Sequence, residues 1–544
     1  MQTAFDYIII GGGAAGCVVA ARLSENSSNR VLLIEAGPHA RHPLIKMAGG
    51  YFKLHGTSRT FLFKSEPAPG ANNRQLSLLQ GKTLGGGTAI NAMCYNRGQK
   101  EDYDAWAANG CEGWSYKDVL PYFKRAENNS RLAGPFHGTD GPVRVSDGIH
   151  RHRLSDAFIV AAQQASGAPG LPAPFNHDFN GEKQAGVGFY QTMSHRGERS
   201  STYTAYIETA DKRNNLTVWT DSSALKILFK GTRAVGVRVR RGRTVHDVRA
   251  ENEVVLSAGA FMSPKLLMLS GVGPAEHLQQ HGIDVVLDLP GVGQNYQDHV
   301  LVPVDADLKQ PISLMGQDRG WRALSNGLQW TLFRSGVLTS NIVECGAYFD
   351  TDGDGRSEVQ LNALAASSCG WGEPIPQVHR FSLAPLCNAV QSRGEVRLRS
   401  ANPDDMPMVY GNYLSAQADV DHLVKGIRIA RKIMAAPALA KYLKQESLPG
   451  SDVGDSDEEL GAYVRARVST ALHPAGTCAM GTGPDAVVDT QLRVHGLQGL
   501  RVADASIMPN IIRGNTAAPT VMIGERAAAF LREGTRLTSE QMAS

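Results

Sequence analysis

The sequence predicts an α/β chain (α+β overall) in which a Rossmann-like domain, assembled from separated segments, carries an inserted domain of mixed sheet and helices. Three observations lead there. Near the N-terminus the apolar strand Phe5-Asp6-Tyr7-Ile8-Ile9-Ile10 runs into Gly11-Gly12-Gly13-Ala14-Ala15-Gly16; a small-residue helix follows to Leu23, and Val31-Leu32-Leu33-Ile34 ends on Glu35. In mid-chain, Leu216-Thr-Val-Trp-Thr, Ala224-Leu-Lys-Ile-Leu-Phe and Ala234-Val-Gly-Val-Arg-Val read as short strands at meander spacing, followed by Glu253-Val-Val-Leu-Ser. After about residue 466 the chain returns to glycine-rich turns, a strand at Leu500-Arg-Val-Ala and a helix from Thr520 to Leu531.

Each part of the N-terminal motif has a physical task. Gly11 permits the tight turn, Gly13 lets the backbone approach a pyrophosphate, and Gly16 lets the helix pack closely on the strand. The helix N-terminus offers free N–H groups and partial positive charge to that pyrophosphate. Glu35 stands nineteen residues beyond Gly16, near the offset of about 20 at which an acid accepts the ribose hydroxyls. Strand, glycines, helix, strand and acid in register predict an adenine dinucleotide.

Size and composition agree with an enzyme. A chain of 544 residues exceeds one ordinary domain. Hydrophobic content of 42%, charged content of 20% and 58 glycines describe a globular protein rich in tight turns. Net charge is +3 without a long basic run, which implies no nucleic-acid partner. The run Arg238-Val239-Arg240-Arg241-Gly242-Arg243 alternates as a solvated hairpin does. No apolar stretch approaches the ~18 residues of a spanning helix, so a cytoplasmic protein is expected, with peripheral contact at the inner membrane left open. The seven cysteines (17, 94, 111, 345, 369, 387 and 478) form no C-x-x-C pair and favour reduced thiols. The nucleotide-binding domain is expected over residues 1–145, 215–301 and 466–544, and the inserted domain over 146–214 and 302–465.

Two further blocks are Gly81-Lys82-Thr83-Leu84-Gly85-Gly86-Gly87-Thr88-Ala89-Ile90-Asn91 and Gly259-Ala260-Phe261-Met262-Ser263-Pro264 to Gly273. With the opening motif and the closing stretches His473-Pro474-Ala475-Gly476-Thr477 and Asn515-Thr516-Ala517-Ala518-Pro519-Thr520, they resemble the signatures of the glucose–methanol–choline (GMC) oxidoreductases. The resemblance covers nearly the whole chain. It is strongest to the bacterial alcohol, choline and sorbose dehydrogenase branch, through Asn91-Ala92-Met93, Ser340-Asn341-Ile342-Val343-Glu344 and Ala503-Asp504-Ala505-Ser506-Ile507-Met508-Pro509.

The resemblance implies an FAD-binding domain and oxidation of an alcohol, a primary alcohol or polyol, to a carbonyl compound by hydride transfer to flavin N5. Electrons then pass to a quinone, another carrier or oxygen; an oxidase or, further away, a lyase or decarboxylase are the alternatives. It assigns the base to His473 and a donor to the forming alkoxide to Asn515. Glu344 matches a carboxylate at the substrate site of choline-oxidising relatives, and is expected near the alcohol or orienting a catalytic neighbour. FAD is expected to meet Gly11, Gly13, Ala14, Ala15, Gly16 and Glu35 in the first motif, and Leu84, Gly86, Gly87, Asn91, Ala92, Met93 and Cys94 in the second. Ala224, Leu472, Asp504, Ala505, Thr516 and Ala517 complete the set. In the family the helix near Pro519, with Thr516 as cap, points its N-terminus at the flavin pyrimidine, where negative charge builds on reduction. Members with covalently attached FAD carry a histidine where this chain has Ile90, so the cofactor is expected to be held non-covalently.

Other features read as structural. Asp350-Thr-Asp352-Gly-Asp354-Gly355 begins like a calcium loop, but its twelfth position is Leu361 rather than Glu. His150 and His152 have no cysteine nearby for zinc, and Cys478 shows no activating feature beyond its closeness to His473 in sequence. No metal is expected.

Overall fold

In the computed structural model, residues 3–166, 173–368 and 376–543 are described; Cys369 lies outside them. The N-terminal strand β1 (Ala4–Ile10) pairs in parallel with β2 (Val31–Ile34) on one side and with Thr244–Leu256 on the other. Both central strands are buried along most of their length, as continuous apolar runs in a covered parallel sheet must be. The thirteen-residue strand Thr244–Leu256 does two jobs. Its first half closes an antiparallel meander with Arg233–Arg241 and Ser222–Lys230, while its second half lies between β1 and Leu500–Val502. The arginine-rich run turns at Gly242 (φ +59°), where Arg238 and Arg240 face solvent and pair with Asp247 and Asp404.

Leu216–Trp219 departs from the meander reading. It extends the parallel sheet beyond β2, because the apolar edge Val31–Ile34 requires a partner. The helix after the glycine turn, α1 (Ala14–Leu23), is buried nearly throughout. It packs against the C-terminal helix Ala517–Ala543, where a Cβ on Gly524 would stand 2.9 Å from the Ala15 carbonyl. Arg22 of α1 donates to fully buried Glu525 at 2.8–3.0 Å, and Tyr206 donates to the same carboxylate at 2.8 Å. Tyr206 sits in the helical turn Tyr203–Ile207, so this part of 146–214 packs on the nucleotide-binding side rather than with the inserted domain.

The second sheet runs Leu443–Leu448, Val304–Leu308, Arg380–Cys387, Val359–Leu364, Cys345–Phe349, Gly186–Phe189. A mixed sheet was expected; its strand-to-strand pairings are antiparallel, with one parallel contact, the isolated bridge Phe175–Val187. For Cys345–Phe349 and Val359–Leu364 the physical reason is connection length, since the nine residues between them leave no room for a helical crossover. Val300–Leu301 and Ser469–Thr470 join this sheet too, although they fall in segments assigned to the nucleotide-binding domain. Strand alternation then decides which side chains meet the site. Val359 and Pro385 face helix Gln417–Ala435 at Gly426, whereas Asn362, Leu364, Ser382, Ala384 and Leu386 form the floor of a large cavity.

Among the described residues no helix is long and apolar enough to cross a membrane. The six described cysteines are buried and unpaired, and burial pushes the thiols of Cys17, Cys94 and Cys478 up in pKa, Cys94 to about 12.

Candidate active site

The cavity has a volume of about 1880 Å³ and takes walls from both sheets. Ligand pockets for drug-sized molecules occupy roughly 300–1,000 Å³, so the space suits a dinucleotide together with a substrate. Gly11, Gly13, Ala14, Ala15 and Glu35 line one end. Gly13 is the N-cap of α1 and has no side-chain capping bond, so the first-turn N–H groups face the cavity uncovered. The Glu35 carboxylate is buried. It accepts Gly12 N–H at 2.9 Å and Gly37 N–H at 2.7 Å, which hold it at the cavity wall. Burial raises its pKa, partly offset by those two donors.

The glycines divide into two kinds. A Cβ on Gly16 would lie 1.9 Å from the Gly11 carbonyl oxygen, so the helix can approach the strand only without one. Gly13 is different. Its φ of −82° suits any residue, and a Cβ there would meet only the Ser257 carbonyl at 3.8 Å. Gly87, also on the cavity wall, has nothing within 4 Å of such a Cβ. The fold itself leaves these places open, and a planar or phosphate-bearing group can come to van der Waals contact with the backbone there.

Asn91, Ala92, Met93, Cys94, Gly86, Ala224, Leu472, Asp504, Ala505, Thr516 and Ala517 line the same cavity. Asn91 Oδ1 accepts from Met93 N–H at 3.1 Å and from buried Arg199 at 2.8 Å, and Met93 takes a left-handed φ of +60°. The Asp504 carboxylate accepts Gly259 N–H (2.9 Å), the Ser263 hydroxyl (2.6 Å) and Ser506 N–H (2.8 Å), so it braces the start of helix Gly259–Leu269. The C-terminal helix begins at Ala517 with Pro519 in its first turn, and Thr516 contributes its carbonyl to Thr520 N–H at 3.0 Å.

Three of the expected site residues do not line the cavity. Leu84 is fully buried beneath Gly12, whose Cβ would lie 2.7 Å from a Leu84 methyl; it supports the glycine turn and does not line the cavity. Gly16 does not line it either, being occupied with Gly11. Glu344 does not reach it. Its carboxylate accepts from His150 Nδ1 (2.7 Å), His152 N–H (2.7 Å), Ser340 Oγ (2.6 Å) and Ser155 Oγ (2.8 Å), and these donors hold its pKa down against burial. A carboxylate with four protein donors is a brace between the segment at 340–344 and the start of helix Arg153–Ala165. Asp350, Asp354 and Glu358 gather their oxygens within 4.8 Å of one another. They lie off the cavity, and Asp350 accepts Gly353 and Gly355 N–H while Glu358 accepts Arg513 and Thr351 N–H.

His473 projects from a constrained backbone. Leu472 before it is left-handed (φ +62°), Pro474 follows, and His473 N–H donates to Asp298 Oδ1 at 2.7 Å. Burial raises the Asp298 carboxyl to about 7. His473 Nε2 lies 3.3 Å from Asn515 Nδ2, and its Nδ1 lies 3.0 Å from Nδ1 of His299. An amide N–H donating to Nε2 requires a lone pair there, which assigns the His473 proton to Nδ1 and directs it at His299. Sequence reasoning missed His299. It is fully buried with Nε2 unpartnered among the described residues, and burial next to His473 lowers its pKa well below the ordinary value, keeping it a neutral acceptor. The Asn515 Oδ1 atom is likewise buried without a partner among the described residues.

With this geometry in place the comparisons decide the family. A family model described as GMC oxidoreductase matches residues 5–301, and a second with the same description matches 390–524. The chain belongs to the GMC oxidoreductases. It is 42% identical over 535 residues to the alcohol dehydrogenase [acceptor] of Pseudomonas putida, covering 97% of this chain and 95% of that one. It is 41% identical over 527 residues to the oxygen-dependent choline dehydrogenase of Brucella suis, covering 96% and 94%. Among solved structures, pyridoxine 4-oxidase from Mesorbium loti superposes with a TM-score of 0.87 at 30% identity, covering 96% and 98% of the two chains. A formate oxidase does so at 0.90 and 26%, covering 98% and 99%. This GMC oxidoreductase is an FAD-dependent enzyme, and its uncapped helix end, open glycines and buried Glu35 fit that cofactor.

Proposed function

We propose that this enzyme oxidises a neutral alcohol, a primary alcohol or polyol, to the carbonyl compound. His473 serves as the base and Asn515 as the donor to the alcohol oxygen. The observation that carries the reading is the His473–Asn515 pair, 3.3 Å apart on the wall of the cavity that also holds the glycine cradle. FAD, when bound, supplies the two-electron acceptor for the carbinol hydride. The Nε2 lone pair of His473 takes the hydroxyl proton, and the Asn515 amide N–H stabilises the oxygen as it gains charge. His299 accepts the His473 Nδ1 proton throughout, which keeps Nε2 available. The sheet floor (Asn362, Leu364, Ser382, Ala384 and Leu386) offers no carboxylate, and Glu344 is engaged elsewhere, which favours a neutral substrate over a cationic one. An anaerobic panel of alcohols tests this reading. A neutral alcohol should bleach the flavin, and oxygen or a quinone admitted afterwards identifies the acceptor. Choline as the sole bleaching substrate would contradict it.

Burial lowers the His473 pKa to about 4. Because the folded value lies below the ordinary 6.5, the neutral form's contribution to stability is complete above pH 6.5 and is lost as pH falls towards 4. The base is therefore competent through neutral pH. The acid limb of the limiting flavin-reduction rate should fall well below 6.5 in a pH profile; a limb at 6.5 or above would assign it to another group.

His299→Ala should slow flavin reduction by roughly 10–100-fold, in the range seen when a group orienting a functional histidine is removed. KM should change little. His299→Gln, whose amide oxygen can accept from Nδ1, should recover part of the rate, whereas a merely structural role would show as lost stability in both variants. Ile90 lines the cavity without a nucleophilic atom, and Cys94 is held protonated. Acid precipitation should accordingly release all the FAD to the supernatant; yellow colour left on the pellet would refute non-covalent attachment.

A further inference from the structure

We propose that helix Gly320–Phe333 seats the enzyme on the surface of an anionic phospholipid bilayer. The helix turns its apolar side chains the wrong way for a core element. Trp321, Leu324, Leu328 and Leu332, spaced three or four residues apart, form one face, and Phe333 lies beside it. These are among the most exposed large apolar residues of the described chain: Trp321 is 79% exposed, Phe333 72% and Leu332 68%. The opposite face, Ala323, Asn326, Gly327 and Trp330, is turned inward, and Ala323 and Gly327 line the cavity. Fourteen residues rise about 21 Å, short of the ~30 Å hydrocarbon core, so such a helix lies in the interface and does not span it.

Charge selects the occupant. From Arg319 to Val343 the chain contains three arginines (319, 322 and 334) and no acidic residue. Lys53 stands next to the helix start, bonded to Asp318 at 3.2 Å, and solvent-exposed Arg319 reaches the same carboxylate at 4.0 Å; Arg334 pairs with Glu198 at 2.8 Å, and with exposed Arg322 the border keeps a net positive charge. A basic rim around Trp and Leu matches anionic headgroups over acyl chains. A second copy of this chain, packed isologously, would instead bring the same arginines face to face. Because the helix separates this face from the cavity, a bilayer seated here would bring lipid-dissolved alcohols or carriers to the site, a consequence that rests on the proposed function; the binding itself does not.

The test uses the FAD-loaded enzyme and vesicles of phosphatidylglycerol with phosphatidylcholine, compared with phosphatidylcholine alone. The enzyme should float with the anionic vesicles and be released by high salt. Brominated lipid should quench its fluorescence more than that of Trp321→Phe. The triple variant Leu328→Ser, Leu332→Ser, Phe333→Ser should lose about tenfold or more of the bound fraction, and Arg322→Glu, which lies off the cavity, should weaken the preference for anionic vesicles. Both variants should keep their turnover with soluble alcohol and acceptor. No flotation with anionic vesicles, or equal flotation of the triple variant, would overturn the proposal. A concentration-dependent dimer that the triple variant dissolves, without vesicle binding, would assign the face to a second copy and overturn it as well.

Discussion

His473→Ala is expected to slow anaerobic flavin reduction by about 10²–10⁴-fold, the usual worth of general-base assistance, while FAD stays bound. In the proposed mechanism the imidazole meets the reacting hydroxyl, and the cradle at the other end of the cavity does not depend on it. Asn515→Ala should cost about 10²–10³-fold, as expected for one oriented donor to a developing oxyanion. The two losses should not add, because both groups act on one oxygen and contact each other at 3.3 Å. Rapid mixing with saturating alcohol, with FAD content measured on the same samples, separates the chemical step from cofactor loss.

The second large effect separates two glycines three residues apart. Gly16→Val should fold poorly or not at all. Its Cβ would stand 1.9 Å from a backbone oxygen, so α1 must move off the sheet, and the cost lies at or beyond the upper end of the ~1–3 kcal/mol usual for overpacking. Gly13→Val should fold with nearly unchanged thermal stability, because its backbone is extended and its Cβ enters open space. That space is where the pyrophosphate is expected, so FAD affinity should fall about tenfold or more, each tenfold being 1.4 kcal/mol. Thermal unfolding of the apoproteins with FAD titration checks both. A Gly13→Val protein that binds FAD like the parent would show that the cofactor does not approach this backbone.

Much of this site could be read in the sequence where the information is local. The glycine spacing, the strand ends and Glu35 follow from what one turn and one helix need over some thirty residues. Long-range facts were not legible. His299 and His473 are 174 residues apart and meet only because Val300–Leu301 pairs with Ser469–Thr470. Each looks like an ordinary histidine until that pairing exists. Leu84 sits inside a cofactor motif, yet its position beneath Gly12 comes from how two glycine loops stack, with Gly85 N–H donating to the Gly12 carbonyl at 2.7 Å. The surroundings of Glu344 were not legible for a different reason. A motif can place a carboxylate near a site, but only the surrounding donors decide whether its lone pairs remain free. The exposed face of Gly320–Phe333 shows the same limit, since helical periodicity gives an apolar stripe without saying that the stripe points outward.

The central claim is that an alcohol's carbinol hydrogen leaves as hydride to FAD while His473 takes the hydroxyl proton. The most direct measurement mixes the anaerobic enzyme rapidly with a bleaching alcohol and with the same alcohol deuterated at the carbinol carbon, in the parent and in His473→Ala. The account predicts one bleaching phase in the parent, slower with deuterium, and a phase slower by about 10²–10⁴-fold in the variant with FAD fully bound. Parent-like bleaching in His473→Ala, or alcohol consumed while the flavin stays oxidised, would contradict it.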